Sequence, residues 1–285
     1  MSRPAFVTRF APSPTGLLHL GHAFSALTAF DAARMADGEM LLRIEDIDAT
    51  RCRAEFETAI VRDLAWLGAE WPLPVRRQSD HLAAYRDALG RLRARGLIYR
   101  CFRTRREVME DIGRAPDAVI AAFAGGPAPL AEEERLVAAG APFAWRLSLT
   151  AARAALGGRF ALTFVEQGAG PAGESGEIAA RPELAGDVVL ARKDLGVAYH
   201  LAVVVDDALQ GVSHVIRGAD LFAAAHIQRL LQALLDLPTP VYRHHPLILR
   251  PDGRRFAKRD TTETLGDLRR QGVTPPMLRE RLGLI

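Results

Sequence analysis

Thr8-Arg9-Phe10-Ala11-Pro12-Ser13-Pro14-Thr15-Gly16-Leu17-Leu18-His19-Leu20-Gly21-His22 is the stretch whose reading decides the fold. A short apolar run, Ala5 to Phe10, predicts a strand. A Pro/Gly turn follows, and then a helical pattern from about Leu20 to Met35. Strand, tight turn and helix together aim a helix N-terminus, with its unpaired backbone N–H groups, at an anion. His19 and His22 are three apart and so share one face of the first turn, while Gly21 between them lets a flat ring approach the backbone. Taken alone, His-x-Gly-His also reads as two surface histidines on a loop; the turn and the strand before it favour the anion site.

The bulk numbers narrow the class. With 285 residues the chain suffices for one large domain or two small ones, and 49% hydrophobic with 25% charged residues is ordinary for a soluble globular protein. No apolar run approaches the ~18 residues of a membrane span, and no basic-then-apolar leader opens the chain. Cys52 and Cys101 are the two cysteines, which excludes a disulfide framework and predicts a reducing, cytoplasmic setting. The net charge is +3, and of 37 basic residues only Lys193 and Lys258 are lysines. Where nearly every cation is arginine, a lysine marks a place that needs a compact, flexible ammonium.

Strands over 5–10, 40–45 and 97–102 alternate with helices over 20–35, 53–67 and from Asp80 to Arg95, an order that predicts a doubly wound parallel α/β sheet. Residues 103–186 break the pattern. They contain an Ala/Gly/Pro-rich stretch, strand-like runs at Phe143 to Leu149 and Phe160 to Val165, and five Gly, two Pro and four Glu within 166–186. This reads as an insertion with its own small α+β structure. Order resumes with strands at Asp187 to Arg192 and Val212 to Arg217 and helices at Tyr199 to Leu209 and Ala219 to Leu235. An extended run, Tyr242 to Leu249, then a hairpin turn at Arg250-Pro-Asp-Gly-Arg254 and a short helix beginning near Thr274 complete the reading. The domains expected are therefore 1–102 with 187–240, the insert 103–186, and a loop-and-tail segment 241–285.

Arg255-Phe256-Ala257-Lys258-Arg259 follows that hairpin turn and holds one of the two lysines. With His19-Leu-Gly-His22 it resembles the paired signatures of class I aminoacyl-tRNA synthetases, HIGH and KMSKS. Arg9-Phe-Ala-Pro-Ser-Pro-Thr-Gly16, Arg43-Ile-Glu-Asp-Ile-Asp48, Tyr199-His-Leu-Ala-Val-Val-Val-Asp-Asp207 and Val215-Ile-Arg-Gly-Ala-Asp220 narrow the resemblance to the glutamyl-tRNA synthetase family, in order and spacing. The match runs to Arg259. It resembles the truncated branch of that family, which transfers glutamate to the queuosine base at the wobble position of tRNA(Asp); Val203, where full-length enzymes often carry Asn, leans the same way.

The resemblance implies a Rossmann-type parallel sheet without a C-terminal anticodon-binding domain. It implies ATP and L-glutamate as substrates, with magnesium arriving on the ATP phosphates. His19, His22 and Lys258 would stabilise phosphate charge, with adenine against Gly21. Arg9, Tyr199 and Arg217 would surround the substrate's side-chain carboxylate, and Glu45 and Ser13 its amine. In isolation Arg9 reads equally well as a strand-end charge, Arg217 as a partner of Asp220, and Tyr199 as a core aromatic. Glu45-Asp46 and Asp206-Asp207 lack companion histidines at ligand spacing, so no metal ligand is expected. Many relatives carry a structural zinc, but after Cys101 come Phe102 and Arg103, and one thiolate cannot build a tetrahedral site. Arg255 stands where KMSKS has its first lysine. A chain of this size has a radius of gyration of roughly 19 Å, which suits a tRNA(Asp) anticodon stem-loop held by Arg100, Arg103, Arg105 and Arg106; no association helix is evident in the sequence, so a monomer is expected. Three rival readings stay open: a core that charges a tRNA 3′ end, a small-molecule nucleotidyltransferase with the same signature, and a non-catalytic binding module.

Overall fold

The computed structural model describes residues 5–104, 106–108, 123, 125–192, 196–248 and 263–284. Lys258, Arg255, Arg105, Lys193 and the turn expected at 250–254 lie outside the described residues.

Buried apolar runs form the parallel strands. β1 (Val7–Phe10), buried at every position, pairs parallel with β2 (Glu39–Ile44), and β2 pairs with the short β3 (Arg76–Arg77). β10 (His214–Gly218) pairs parallel with β11 (Val241–His245). The two groups meet at β1 and β10: the Ser213 amide donates to Val7 O at 2.9 Å, and Val7 N–H donates to Ser213 Oγ at 2.8 Å. The resulting order is β3-β2-β1-β10-β11. Connections leave β1 toward one edge and return at β10 toward the other, so a crevice opens at the carboxyl ends of these two strands.

Helix α1 (Leu20–Met35) covers the sheet with an alanine-rich face; Ala23, Ala26, Leu27 and Ala29 are fully buried beside Ile44 and Leu42. Small side chains there let helix and sheet pack closely. The carboxyl-terminal helices α8 (Leu265–Arg270) and α9 (Pro275–Leu282) join the same core through Leu265, Leu268 and Leu278, and Arg279 grips Asp31 of α1 with bonds of 2.7 and 3.0 Å. A second core gathers α3 (Leu82–Ala94), α6 (Tyr199–Leu209) and α7 (Phe222–Leu235) around Leu201, Val203, Leu230 and Leu231.

Three expectations change. β4 (Ile98–Cys101) does not extend the parallel sheet but pairs antiparallel with β5 (Ala144–Leu147), which continues through β8 (Val189–Arg192) to β9 (Gly196–Val197). The run expected to stay within the insert forms β6 (Thr163–Glu166). It meets β11 in parallel at Glu166 and Tyr242 and carries the hairpin partner β7 (Gly176–Ala179), so part of the insert lies on the edge of the main sheet. Helix α8 was not expected. The remaining described helices are α2 (Ala54–Trp66), α4 (Leu130–Ala138) and α5 (Leu149–Leu156), and none in the described residues is long and apolar enough to cross a membrane.

Candidate active site

A cleft of about 580 Å3 opens where β1 and β10 diverge. It is lined by Arg9, Ser13, His19, Gly21, His22, Glu45, Tyr199 and Arg217, together with Gly218, His245, Leu247 and Ile248. Every described residue that the sequence singled out for ATP or glutamate reaches this one cleft.

The two histidines begin α1. His19 is the N-cap: its Nδ1 accepts from Gly21 N–H at 3.2 Å, while His22 Nδ1 accepts from His19 N–H at 3.2 Å. This is a capping box built from imidazoles. Because both Nδ1 atoms accept, a neutral ring at either position carries its proton on Nε2. The rings lie with centroids 3.9 Å apart. A Cβ at Gly21 would stand 3.2 Å from the His19 ring, so the glycine makes room for the cap itself as well as for the cleft.

A buried ion network fixes the far wall. Asp207 accepts from Arg9 Nε at 3.1 Å and from Arg43 Nη1 at 2.7 Å, and Arg43 Nη2 donates to Glu45 at 3.2 Å. Burial would raise the Asp207 carboxyl, but Arg9 and Arg43 outweigh it and hold the group below the usual carboxylate range. Burial would lower Arg43, yet Asp207, Glu45 and Asp206 together keep it above its ordinary value. Glu45 differs: burial dominates and raises its carboxyl in spite of Arg43 and Arg9. Its main chain is pinned to the turn, since Glu45 N–H donates to Pro12 O at 3.0 Å. A carboxylate that is costly to ionise beside an open cleft favours an arriving cation.

Asp206 faces away from the cleft and is met by Arg76 Nε and Gln78 Nε2, each at 2.8 Å, and by the Tyr85 hydroxyl. Arg217 is 4% exposed and does not bond Asp220. Its Nε donates to His244 Nε2 at 3.0 Å and its Nη1 to Gln228 Oε1 at 2.9 Å, while Nη2 is buried with no partner among the described residues. A buried guanidinium nitrogen left open at a cleft wall calls for an acceptor from outside.

A second cavity of about 510 Å3 shares Ser13, Glu45 and Tyr199 with the first. Its other walls include Asp48, Arg51, Gln78, Phe123, Arg146, Arg192 and His200. Burial, and then the charge of Arg217, push His200 down to about 4, so its ring is neutral near pH 7. Arg100, expected to grip RNA, pairs with Glu133 at 2.5 Å and lies over the Phe143 and Trp145 rings. Cys101 is buried next to Tyr99, Val108 and Phe123.

Sequence reasoning gave no role to Asp207, Arg43, His244, Glu166 or Gln228. Arg43 and Asp207 lie within the quoted motifs, where an arginine and an acid inside otherwise apolar runs are a legible signal of a buried pair. Nothing local marks Glu166.

Residues 5–118 and 174–285 match the family described as tRNA synthetases class I (E and Q), catalytic domain. A "Glutamyl-Q tRNA(Asp) synthetase" of Rhodobacter capsulatus is 48% identical, the alignment covering 98% of this chain and 100% of that protein. A second protein of that name, from Symbiobacterium thermophilum, is 40% identical over 94% of this chain and 82% of its own length. The crystal structure of a glutamate tRNA ligase from Elizabethkingia meningosepticum, in complex with its amino acid, superposes with a TM-score of 0.70 at 26% identity. That match covers 90% of this chain, which spans about half of the ligase (52%).

Proposed function

The chain belongs to the class I tRNA synthetases of the glutamate and glutamine type, ATP-dependent ligases, and from that premise we propose that it activates L-glutamate and transfers it to the queuosine base at the wobble position of tRNA(Asp). The observation that carries the amino-acid half is the convergence of Arg9, Arg217, Tyr199, Glu45 and Ser13 with the imidazole-capped helix on one cleft. The acceptor half draws its support from the end-to-end match with the Rhodobacter protein.

In the first step an oxygen of the substrate's α-carboxylate attacks the α-phosphorus of ATP. A carboxyl–phosphate anhydride forms and pyrophosphate leaves with the electrons of the broken P–O bond. No residue need remove a proton, so the chain's task is to position and to stabilise charge. His19 and His22 donate from Nε2 toward phosphate oxygens, and Lys258 follows the charge that collects on the leaving pyrophosphate. Magnesium would arrive on the ATP and would offset phosphate charge, with no cluster of ligands for it among the described residues. Glu45 and Ser13 receive the substrate ammonium.

Arg9 and Arg217 meet the side-chain carboxylate, with Tyr199 beside them. Glutamine would leave these guanidinium donors poorly paired, at a cost of roughly 2–4 kcal/mol. In the second step a hydroxyl of the queuosine cyclopentene diol, presented through the second cavity by the anticodon stem-loop, attacks the anhydride carbonyl. The ester forms, AMP departs with the electrons of the broken C–O bond, and the hydroxyl proton passes to the departing phosphate.

The test is incubation with labelled glutamate, ATP and tRNA(Asp) with or without queuosine. Label on the wobble base of the queuosine form alone is expected. Label on the 3′-terminal ribose would replace this reading with that of a core charging a tRNA end, and exchange of pyrophosphate that ignores glutamate would remove the amino-acid half.

A further inference from the structure

Arg217 ends a buried chain of three side chains from three elements. Glu166, at the end of β6, is 1% exposed, and His244 on β11 is 2% exposed. Glu166 Oε2 lies 2.5 Å from His244 Nδ1, and His244 Nε2 lies 3.0 Å from Arg217 Nε. The arginine Nε–H can only donate, so His244 Nε2 must accept and its proton must sit on Nδ1, facing Glu166. That tautomer is opposite to the one the capping box imposes on His19 and His22.

The other oxygen of Glu166 is already committed. Oε1 accepts from Gly168 N–H at 2.7 Å and from His244 N–H at 2.8 Å. The carboxylate is therefore held by the backbone on one side and presents a pure acceptor to the imidazole on the other. Burial and the neighbouring Arg217 charge lower His244, which keeps the ring neutral despite the adjoining carboxylate. Hydrogen bonds from His244 hold Glu166 below the usual carboxylate range although burial opposes them.

We propose that Glu166 and His244 are positioning residues: Glu166 fixes the tautomer of His244, His244 fixes the plane of the Arg217 guanidinium, and the unpaired Nη2 is thereby aimed at the substrate carboxylate. The proposal deepens the reading given above and rests on Arg217 meeting that carboxylate. It assigns a residue from the inserted region, on the sheet edge, a part in choosing glutamate over glutamine.

Glu166→Gln tests it with a near-isosteric change. The two backbone N–H donors hold the amide oxygen at the Oε1 position, so the amide nitrogen falls opposite Nδ1 and donates to it. The ring proton must then move to Nε2, where it confronts Arg217 Nε–H. The expected result is a rise of about tenfold in the KM for glutamate in pyrophosphate exchange, with kcat and the KM for ATP within about twofold. The glutamate-over-glutamine ratio should shrink in step. Ring 15N spectra should show His244 passing from Nδ1–H to Nε2–H.

His244→Asn keeps a donor toward Glu166 but no acceptor at the Nε2 position, and should raise the glutamate KM similarly. His244→Gln restores an acceptor there and should recover most of the loss. Arg217→Lys separates this proposal from its parent. If Arg217→Lys raises the glutamate KM while Glu166→Gln and His244→Asn leave it unchanged, the relay is overturned. An unmoved tautomer in Glu166→Gln, or an equal loss in kcat and in both KM values, overturns it as well. If Arg217→Lys itself leaves the glutamate KM unchanged, the parent reading fails, and with it the proposed role in selecting glutamate.

Discussion

Thr264 and His19 form an isolated antiparallel bridge, and the next amide, Leu265 N–H, donates to Leu18 O at 2.9 Å. The described chain thus resumes, after 249–262, against the residue that caps α1. On the other side of the same segment, Ile248 lines the cleft. One flank of the stretch that carries Lys258 thus abuts the His19 cap, and the other reaches the cleft wall. Lys258→Ala should lower pyrophosphate exchange at least a hundredfold while glutamate binding, followed by calorimetry, changes less than about threefold. Unchanged turnover would remove the role given to the lysine.

His19 joins two tasks that substitutions can separate. His19→Ala should cost about 1 kcal/mol of stability through the lost cap as well as most of the adenylate formation. His19→Asn keeps a side-chain acceptor for the Gly21 amide but lacks a donor in the place of Nε2. A melting temperature near that of the parent with strongly reduced exchange is expected for the asparagine variant, and parental exchange would show that the imidazole serves the helix alone.

Asp207 lies between two buried guanidinium groups, so Asp207→Asn should destabilise the fold by about 3–5 kcal/mol, the usual result of stripping a partner from a buried ion pair. The pH dependence follows from the direction of its shift. A carboxyl held lower in the folded state adds stability that is full above its unfolded value, about 3.9, and is lost as pH falls through its folded value. Thermal melts between pH 7 and 3 should show a steeper acid limb for the parent than for the asparagine variant.

Glu45 shifts the other way, since burial raises it above the ordinary carboxylate range. Its contribution to stability is greatest at low pH and is lost as pH rises through the folded value. A substrate ammonium placed beside it reverses the balance by favouring the ionised form. Glutamate binding should therefore release a proton and tighten as pH rises across the raised value. Calorimetry in buffers of different ionisation enthalpy measures this directly, and proton uptake on binding would contradict the assignment of Glu45 to the amine.

Arg192 lines the second cavity from the exposed side of β8. Arg192→Ala should raise the KM for tRNA in the transfer assay severalfold and leave pyrophosphate exchange near the parental rate. An equal fall in both would mean that the cavity serves adenylate formation rather than the acceptor.

The elements around the cleft were legible because each announces itself over a few consecutive residues. The run to Phe10, the Pro-Ser-Pro-Thr-Gly turn and the spacing of His19 and His22 are local patterns, and the helix begins at Leu20 as they imply. Thr264-Leu-Gly-Asp267 was an equally local sign of helix α8. Its capping box closes with Asp267 N–H donating to Thr264 Oγ1 at 3.1 Å and Thr264 N–H donating to Asp267 Oδ2 at 2.9 Å. Pairing was not legible. Nothing in Ile98–Cys101 states that its partner will be Ala144–Leu147, or in Thr163–Glu166 that its end will meet Tyr242, because a strand's own alternation is the same in either sheet. The same blindness concealed Glu166, one of four acids in a Gly- and Pro-rich stretch, whose importance arises only from His244 across a sheet edge.

Ser13, Glu45 and Tyr199 belong to both hollows. On the reading proposed above, an acyl phosphate made in one hollow would meet its taker across the residues that the two hollows share. It would not have to cross bulk solvent, where hydrolysis would waste it. Loss of that closeness would show as more of each activated amino acid spoiling before delivery.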